Sequence, residues 1–582
     1  MSGSLHGSAS NGCIRKDGEF NIDYIVHCHN NLQKGNVANA FSIKLPIFTN
    51  LNIDFLEEKL RDYEDKEVIE FLKYGYPVNS NMVLEGPILN RNHSSAVSHP
   101  DQIDKFVKKG LSSHSIIGPF KVSPFDNYVV SPLASVEKAD SMDRRIIMDL
   151  SFPKGKSLSV NDSIPKDTFL GVEYQLRLPG VDAIIGMIRR KGCGCALMKR
   201  DLKDAYRQNV RTDYKDIHLL GFSWRSNLYF DLTHPQGCSS AAYCCQRSSG
   251  ALKHVYKSLD SDYEVEIYLD DFISAECWSK AFKADADLAW VFRMSNIVES
   301  DSKHCSPNVE MIGLGVLFNT LDMTVSVTDQ RMEEIQSILL DWEDKSSATL
   351  KEVQSLVGKL SFVAACVRPA RAFLSRMFAS FSTFPQYGAI TLSTDFRNDL
   401  IWWLRFFPKF NGVSLMGPEE WENPDVTFAS DACLSGCGAV SLSAKEYFHG
   451  RFPAFLFENM KLDINCLELL TIMVACKIWG FLWAGKRILV QCDNQDSVFA
   501  INNLSCHNKF MQGCVREIML ICASKDFQIK SIHIAGVDNR LPDCLSRAHL
   551  KSDYLQKFKK LTNNELNRID VSDDCFRFEY DW

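Results

Sequence analysis

The 582-residue sequence lacks an excess of basic charge, since 65 Lys and Arg residues stand against 72 Asp and Glu residues and give a formal net charge of −7. No global positive field drives binding to nucleic acid, although a local cluster of Lys and Arg still could. Residues 1–12, rich in Ser and Gly, lack the apolar core of a signal peptide. The most apolar stretch, 467–485, is interrupted by Glu468 and Lys477. A bilayer would penalise both charges, so we expect a buried helix and no membrane partner.

The 20 cysteines lack the spacing of a disulfide framework, and Cys193 and Cys195 lack the second ligand pair of a structural zinc site. Reduced thiols predict a cytoplasmic or nuclear location. Hydrophobic residues make up 45% and charged residues 24% of the chain, which is an ordinary globular composition. The length suits about three or four domains.

Composition and hydrophobic periodicity divide the chain into six segments. They are a flexible N-terminus (1–22), a helical N-terminal extension (23–95), an α+β domain (96–325), a helical region (326–422), an α/β domain (423–550) and an acidic C-terminal tail (551–582).

A first group of carboxylates lies in the α+β domain. Strand-forming runs flank Asp270 and Asp271, which predicts a β-hairpin with both carboxylates at its turn. Asp201 ends another predicted strand. A divalent cation offsets the repulsion between such acids, and two cations can hold a triphosphate and activate a 3′ hydroxyl for in-line attack. Taken alone, a solvated turn and an ordinary strand-end acid remain the alternatives.

Two further features lie near this group. Gly237, in a run of small side chains, would let the backbone approach a base or sugar closely, although a tight turn before a helix fits equally well. Basic residues are locally dense and could follow phosphates, with a solvated charged face as the alternative. They are Arg189, Arg190, Lys191, Lys199, Arg200 and Lys203.

A second group of acids lies in the α/β domain. Asp431 and Asp493 each lie at the end of a predicted strand, and Asp543 lies near the end of the domain. Glu468 lies among apolar neighbours on a predicted helix, where a carboxylate is costly unless it is paired or bound to metal. Taken alone, Asp431 could be a turn acid.

The segments 201–206, 235–237 and 268–271 resemble, in order and spacing, the motifs of reverse transcriptases. The resemblance implies a right-hand polymerase (fingers, palm and thumb) that binds two Mg²⁺ ions, or Mn²⁺, through Asp201, Asp270 and Asp271. It further implies that Tyr206 excludes the 2′ hydroxyl of the incoming sugar and that Lys303 protonates the pyrophosphate leaving group. The nucleotide-binding residues implied in this way are Lys138, Arg145, Tyr206, Gln236 and Gly237, with Asn161 in the same fingers segment.

The order Asp431, Glu468, Asp493, Asp543 resembles the ribonuclease H domain of retroelements. This implies that the four acids hold two further Mg²⁺ ions, which activate water to cut RNA. His533 would then assist proton transfer or product release.

Connecting segments such as 149–153 and 543–547 resemble DIRS-like retrotransposons and, more distantly, gypsy-like and retroviral enzymes. Gln236, Cys492 and Pro542 depart from the common pattern, but none of them removes a metal ligand. The implied partners are an RNA template, a DNA primer, the RNA–DNA hybrid and deoxynucleoside triphosphates, with homodimer formation left open. The alternative is a non-catalytic nucleic-acid-binding protein derived from such an element.

Overall fold

The structure is a computed structural model. It describes residues 13, 20–33, 46–138, 141–153, 155, 158–385, 388–409, 413–415, 424–458 and 461–580, without the side chains of 138, 141–142, 368, 409 and 413–415. The chain divides into two compact units, Met1–Val309 and Glu310–Trp582. Most of the predicted flexible segment 1–22 lies outside the described residues.

The first unit contains nine described helices and thirteen described strands. The helices are α1 (Ile22–Gln33), α2 (Ile53–Lys59), α3 (Glu67–Tyr74), α4 (Ser94–Val97), α5 (Pro100–Ser112), α6 (Val181–Lys191), α7 (Ala205–Asn209), α8 (Ala241–Leu259) and α9 (Trp278–Met294). The strands are β1 (Ile88–Leu89), β2 (Ile116–Phe120), β3 (Val129–Val130), β4 (Leu133–Lys138), β5 (Ser141–Met148), β6 (Thr168–Phe169), β7 (Val172–Glu173), β8 (Ala196–Asp201), β9 (Gly221–Trp224), β10 (Asn227–Asp231), β11 (Glu264–Tyr268), β12 (Asp271–Glu276) and β13 (Cys305–Asn308).

Two sheets organise the first unit, one ordered β1-β3-β9-β10-β2 and the other β11-β12-β8-β13. Strand β8 takes an inner position in the second sheet because nearly all of its side chains are buried. Its partner β12 runs antiparallel to it. Helices α8 and α9 pack against this sheet, and Met198, Tyr256 and Phe272 belong to the shared core.

The second unit contains nine described helices and twelve described strands. The helices are α10 (Asp329–Glu343), α11 (Leu350–Cys366), α12 (Ser375–Ser380), α13 (Thr394–Phe406), α14 (Ile464–Trp479), α15 (Gln495–Asn503), α16 (Lys509–Lys525), α17 (Arg540–Ser546) and α18 (Ser552–Leu561). The strands are β14 (Glu310–Gly313), β15 (Val316–Asn319), β16 (Thr324–Val327), β17 (Ser347–Thr349), β18 (Ala389–Thr391), β19 (Val413–Leu415), β20 (Val426–Cys433), β21 (Gly436–Ser441), β22 (Glu446–Arg451), β23 (Arg487–Cys492), β24 (Gln528–His533) and β25 (Asn567–Arg568).

A six-stranded mixed sheet, ordered β24-β23-β20-β21-β22-β25, dominates the second unit. Strands β20, β23 and β24 are mutually parallel, as expected where helices connect them. Helix α14 begins where the Asp463 side chain accepts a hydrogen bond from the Cys466 backbone N–H (2.9 Å).

The apolar segment 464–482 is long and apolar enough to cross a membrane, yet 72% of its most apolar window is buried inside the unit. Every residue from Cys466 to Cys476 is buried. The prediction of a buried helix is therefore confirmed.

The C-terminal segment packs on the second unit. Phe558 of α18 and Phe576 are buried, and β25 pairs with β22 at the edge of the sheet. The acidic composition predicted a tail. A few apolar side chains among the charged ones attach this segment to the unit.

Candidate active sites: two carboxylate centres

Strand pairing brings Asp201, Asp270 and Asp271 together into the first carboxylate centre. Asp201, the last residue of β8, is in register with Asp271, the first residue of β12. The turn between β11 and β12 consists of Leu269 and Asp270. The sequence interpretation had placed this turn at Asp270-Asp271. It lies one residue earlier because Leu269 adopts the positive φ (58°) that a two-residue hairpin turn requires.

Helix α8 holds this strained turn in place. Gln246 Oε1 accepts a hydrogen bond from Leu269 N (3.0 Å), and Gln246 Nε2 donates one to Ile267 O (3.0 Å). Ser249 Oγ donates to Leu269 O (2.6 Å). These bonds offset the cost of a leucine in the left-handed region, about 1–3 kcal/mol. Sequence reasoning missed both residues, although their spacing of three places them on one helix face.

Two lysines compensate the first centre in part. Lys303 Nζ lies 2.8 Å from Asp201 Oδ2, and Lys199 Nζ lies 3.3 Å from Asp271 Oδ1. The pKa of Asp201 is raised to about 6, mainly by burial, while the Lys303 ammonium opposes the rise and Asp270 adds to it. Burial and the neighbouring Asp271 likewise raise the pKa of Asp270. Carboxylates held this close fit a divalent cation.

A cavity of about 420 Å³ adjoins the first centre. Asp201, Asp270 and Lys303 line it. So do three residues singled out as nucleotide-binding, namely Arg145, Tyr206 and Gln236. The side chain of the fourth, Lys138, lies outside the described residues. Their roles stay predictions.

Gly237, the fifth residue of that set, has a φ of +116°. A Cβ there would lie 2.5 Å from Met148 O, so only glycine fits. Asn161 Nδ2 donates to Gly237 O (2.7 Å) and Asn161 Oδ1 accepts from Ser239 N (2.9 Å). This loop is therefore tied to the segment that follows β5.

Arg207, which the sequence interpretation did not single out, anchors the helix that carries Tyr206. Its Nη2 lies 2.9 Å from Asp231 Oδ2, its Nη1 donates to Ser115 Oγ (3.0 Å), and its guanidinium lies 4.9 Å from the centre of the Phe106 ring. Asp231 is fully buried. The sugar-facing position predicted for Tyr206 thus rests on an internal ion pair.

Two of the dense basic residues, Arg200 and Lys191, pair with buried or nearby acids instead of facing solvent where phosphates could lie. Arg200 is buried, and its guanidinium bonds Asp285 (2.8 Å) and Glu299 (2.6 Å). Lys191 pairs with Glu276 at 2.7 Å. The prediction is wrong for these two residues, because their acidic partners are distant in sequence and become neighbours only through folding.

Parallel strands and two helices build the second carboxylate centre. The parallel register of β20 and β23 pairs Ala429 with Gln491. Two residues further along each strand direction stand Asp431 and Asp493, at the same end of the sheet. Glu468 of α14 joins them, and its Oε1 accepts a hydrogen bond from the Ala432 backbone N–H (3.0 Å).

Helix α17 delivers the fourth acid, Asp543, because glycines on β21 let it lie directly on the strand. A Cβ at Gly438 would lie 2.3 Å from Leu545 Cβ, and Gly438 is itself in register with Asp431. Asp543 Oδ1 pairs with Arg547 at 2.8 Å. The four predicted acids are thus gathered at one end of the sheet.

The buried charge of the second centre is compensated only in part, by Arg547. The pKa of Asp431 is raised to about 7, mainly by burial and then by Asp493 and Asp543, while Ser546 opposes the rise. Burial and then Asp431 raise the pKa of Glu468. Asp431 Oδ2 is buried without a hydrogen-bond partner. Such an oxygen among acids fits a divalent cation.

His533 is exposed at the end of β24. It is in register with Cys492 of the neighbouring strand β23, and Cys492 directly precedes Asp493. Asn539, which sequence reasoning missed, is buried and donates from Nδ2 to Ser430 O (3.0 Å). It ties the loop after β24 to the strand that carries Asp431.

No protein-family model and no curated protein sequence matches the chain. Among solved structures, the chain is similar to three structures of the foamy viral protease-reverse transcriptase. The first, "dRH" with double-stranded DNA, has a TM-score of 0.46 at 14% identity and covers 84% of this chain and 83% of that chain. A second structure, in complex with double-stranded DNA, has a TM-score of 0.44 at 15% identity, and the match covers 84% of this chain and 98% of that chain. A third, in complex with an RNA/DNA hybrid, has a TM-score of 0.42 at 15% identity, and the match covers 83% of this chain and 61% of that chain. Likenesses this low do not establish a family.

Proposed function

We propose that this chain is an RNA-directed DNA polymerase with ribonuclease H activity, of the DIRS-like branch that its motifs resemble. The observation that carries the proposal is the strand register that joins Asp201 to Asp271 beside a cavity lined by Arg145, Tyr206 and Lys303. Residues 96–325 would supply the fingers and palm, residues 326–422 the helical thumb or connection, and residues 423–550 the ribonuclease H-like domain.

In the first centre, Asp201, Asp270 and Asp271 would hold Mg²⁺, or Mn²⁺. When bound, these ions neutralise the triphosphate and lower the barrier to in-line attack by the primer 3′ hydroxyl. Arg145 would pair with the phosphates, and Tyr206 would lie under the sugar and exclude a 2′ hydroxyl.

Lys303 is suited to donate a proton to the departing pyrophosphate. Burial lowers the pKa of Lys303, but the hydrogen bond to Asp201 and the surrounding carboxylates outweigh that effect and raise it. Its Nζ therefore keeps its proton until the leaving group takes it.

In the second centre, Asp431, Glu468, Asp493 and Asp543 would hold the ions that activate water against the RNA strand of a hybrid. The exposed His533 would move a proton at this edge of the sheet. The substrates would be an RNA template, a DNA primer, the resulting hybrid and deoxynucleoside triphosphates.

Primer extension on RNA and cleavage of labelled RNA in a hybrid, both with Mg²⁺ and the full chain, test the proposal. Asp270→Asn should abolish synthesis and spare cleavage, and Asp431→Asn should do the reverse, because each removes a ligand from one centre only. Asp262→Asn and Asp553→Asn, at exposed acids, are the matched controls. Loss of both activities from either substitution contradicts two separate centres. Hybrid binding without synthesis or cleavage favours the non-catalytic alternative.

A further inference from the structure

Cys492 belongs to the second carboxylate centre, although the proposed function gives it no role. Its Sγ and one carboxylate oxygen each of Glu468 and Asp493 lie within 4.8 Å of one another. Among the residues that the structure describes, this is the one set of three such side chains whose ligand atoms come so close. Sγ lies 4.0 Å from Glu468 Oε2, and Cys492 is fully buried.

A second observation points to a cation at this place. Asp431, on the neighbouring strand, is 5% exposed, and its Oδ2 is buried without a hydrogen-bond partner. A buried carboxylate oxygen that no donor satisfies is costly, and a cation bound at this end of the sheet would lower that cost. Asp431 thus lies at the same buried end of the sheet as the three ligand atoms of Cys492, Glu468 and Asp493.

The mixture of sulfur and oxygen ligand atoms decides which cation the set of Cys492, Glu468 and Asp493 prefers. Mg²⁺ takes oxygen ligands, whereas a sulfur ligand favours softer ions such as Zn²⁺ and Cd²⁺. Zinc bonds to sulfur and to a carboxylate oxygen are about 2.3 Å and about 2.1 Å long. One ion can therefore bridge the 4.0 Å between Sγ and Oε2 without large movement.

We propose that Cys492, Glu468 and Asp493 form a mixed sulfur and oxygen site that binds a thiophilic divalent cation, Zn²⁺ or Cd²⁺, in competition with Mg²⁺. As the cation–sulfur bond forms, the S–H bond breaks and its proton leaves to solvent, so no oxidant or reductant is needed. Binding itself does not require the centre to cut RNA. Inhibition of cleavage by Zn²⁺ is the consequence that rests on the proposed function.

Titration of the full chain with Cd²⁺ tests the site directly through the ultraviolet charge-transfer absorption of the cadmium–thiolate bond. Cys492→Ser should remove one saturable component of this absorption, and Cys476→Ser, at a buried thiol of α14 outside the set, should leave it unchanged. Excess Mg²⁺ should suppress the same component. An unchanged titration in Cys492→Ser, or no competition by Mg²⁺, overturns the proposal.

Glu468→Gln keeps the thiol and decides the matter if Cys492→Ser does not fold. The apparent Cd²⁺ affinity of this component should fall by about tenfold or more, and an unchanged affinity would overturn the proposal.

Hybrid cleavage separates this proposal from the proposed function. Zn²⁺ should inhibit cleavage less in Cys492→Ser than in the unchanged chain. The ratio of the cleavage rate with Zn²⁺ to the rate without it, measured for each chain, should therefore rise toward one in this variant. If no variant cuts RNA, the cadmium absorption still decides whether the site exists, and the proposed function alone has failed.

Discussion

The two carboxylate centres gather their acids in different ways. In the first, one end of an antiparallel sheet supplies all three acids, and Lys303 and Lys199 lie beside them. In the second, parallel strands and two helices supply four acids, and one of their oxygens, Asp431 Oδ2, is buried without a hydrogen-bond partner. Strand pairing thus forms one centre, whereas the packing of a helix on a sheet completes the other.

The largest expected difference comes from disturbing that helix packing. Gly438→Ala places a Cβ 2.3 Å from Leu545 Cβ, so α17 must move and carry Asp543 away from Asp431. We expect RNA cleavage to fall about 100-fold, since a displacement of this size misaligns catalytic groups. DNA synthesis should be unchanged.

Gly450→Ala on β22 is the matched control, because nothing lies within 4 Å of a Cβ at that position. Equal cleavage rates for the two variants would show that the close approach of α17 does not position Asp543.

The pH dependence of the Mg²⁺ requirement sharpens the comparison. A proton must leave each carboxylate before a cation binds, so affinity falls as the pH drops below the carboxyl pKa. With pKa values of about 7 for Asp431 and about 6 for Asp201, these two groups alone should raise half-saturating Mg²⁺ about tenfold for cleavage and about twofold for synthesis when the pH falls from 8 to 6. Titrations of Mg²⁺ at each pH measure both, and equal shifts for cleavage and synthesis would contradict the higher pKa of Asp431.

The smallest expected effect concerns the turn of the first centre. Ser249→Ala removes the hydrogen bond to Leu269 O, which is worth about 1 kcal/mol. The turn would then adopt the conformation that α8 stabilises less often. DNA synthesis should fall about fivefold and RNA cleavage should not change. Ser258→Ala, near the end of the same helix, is the control. A drop in both activities would indicate general destabilisation instead.

Local patterns predicted much of both centres. The strand that ends at Asp201, the hairpin that carries Asp271 and the buried helix around Glu468 follow from the periodicity of apolar residues, which is a property of neighbours in sequence. The register of the turn was missed by one residue, since Leu269 takes a conformation that its residue type disfavours and that α8 stabilises.

Other features depend on contacts between distant segments. Arg200 carries the same side chain whether it faces phosphate or Asp285, and only folding brings Asp285 beside it. Gln246 and Asn539 are likewise ordinary polar residues until the turn and the strand they hold become their neighbours.

The order of residues thus decided which acids exist, which strands and helices carry them and which helix is apolar enough to be buried. The tertiary structure decided that Asp201 lies opposite Asp271, that α17 rests on Gly438 and that Cys492 faces Glu468. The physical reason is range: strand and helix preferences act between near neighbours, whereas register, helix packing and the field at a buried carboxylate arise only when distant segments exclude water together.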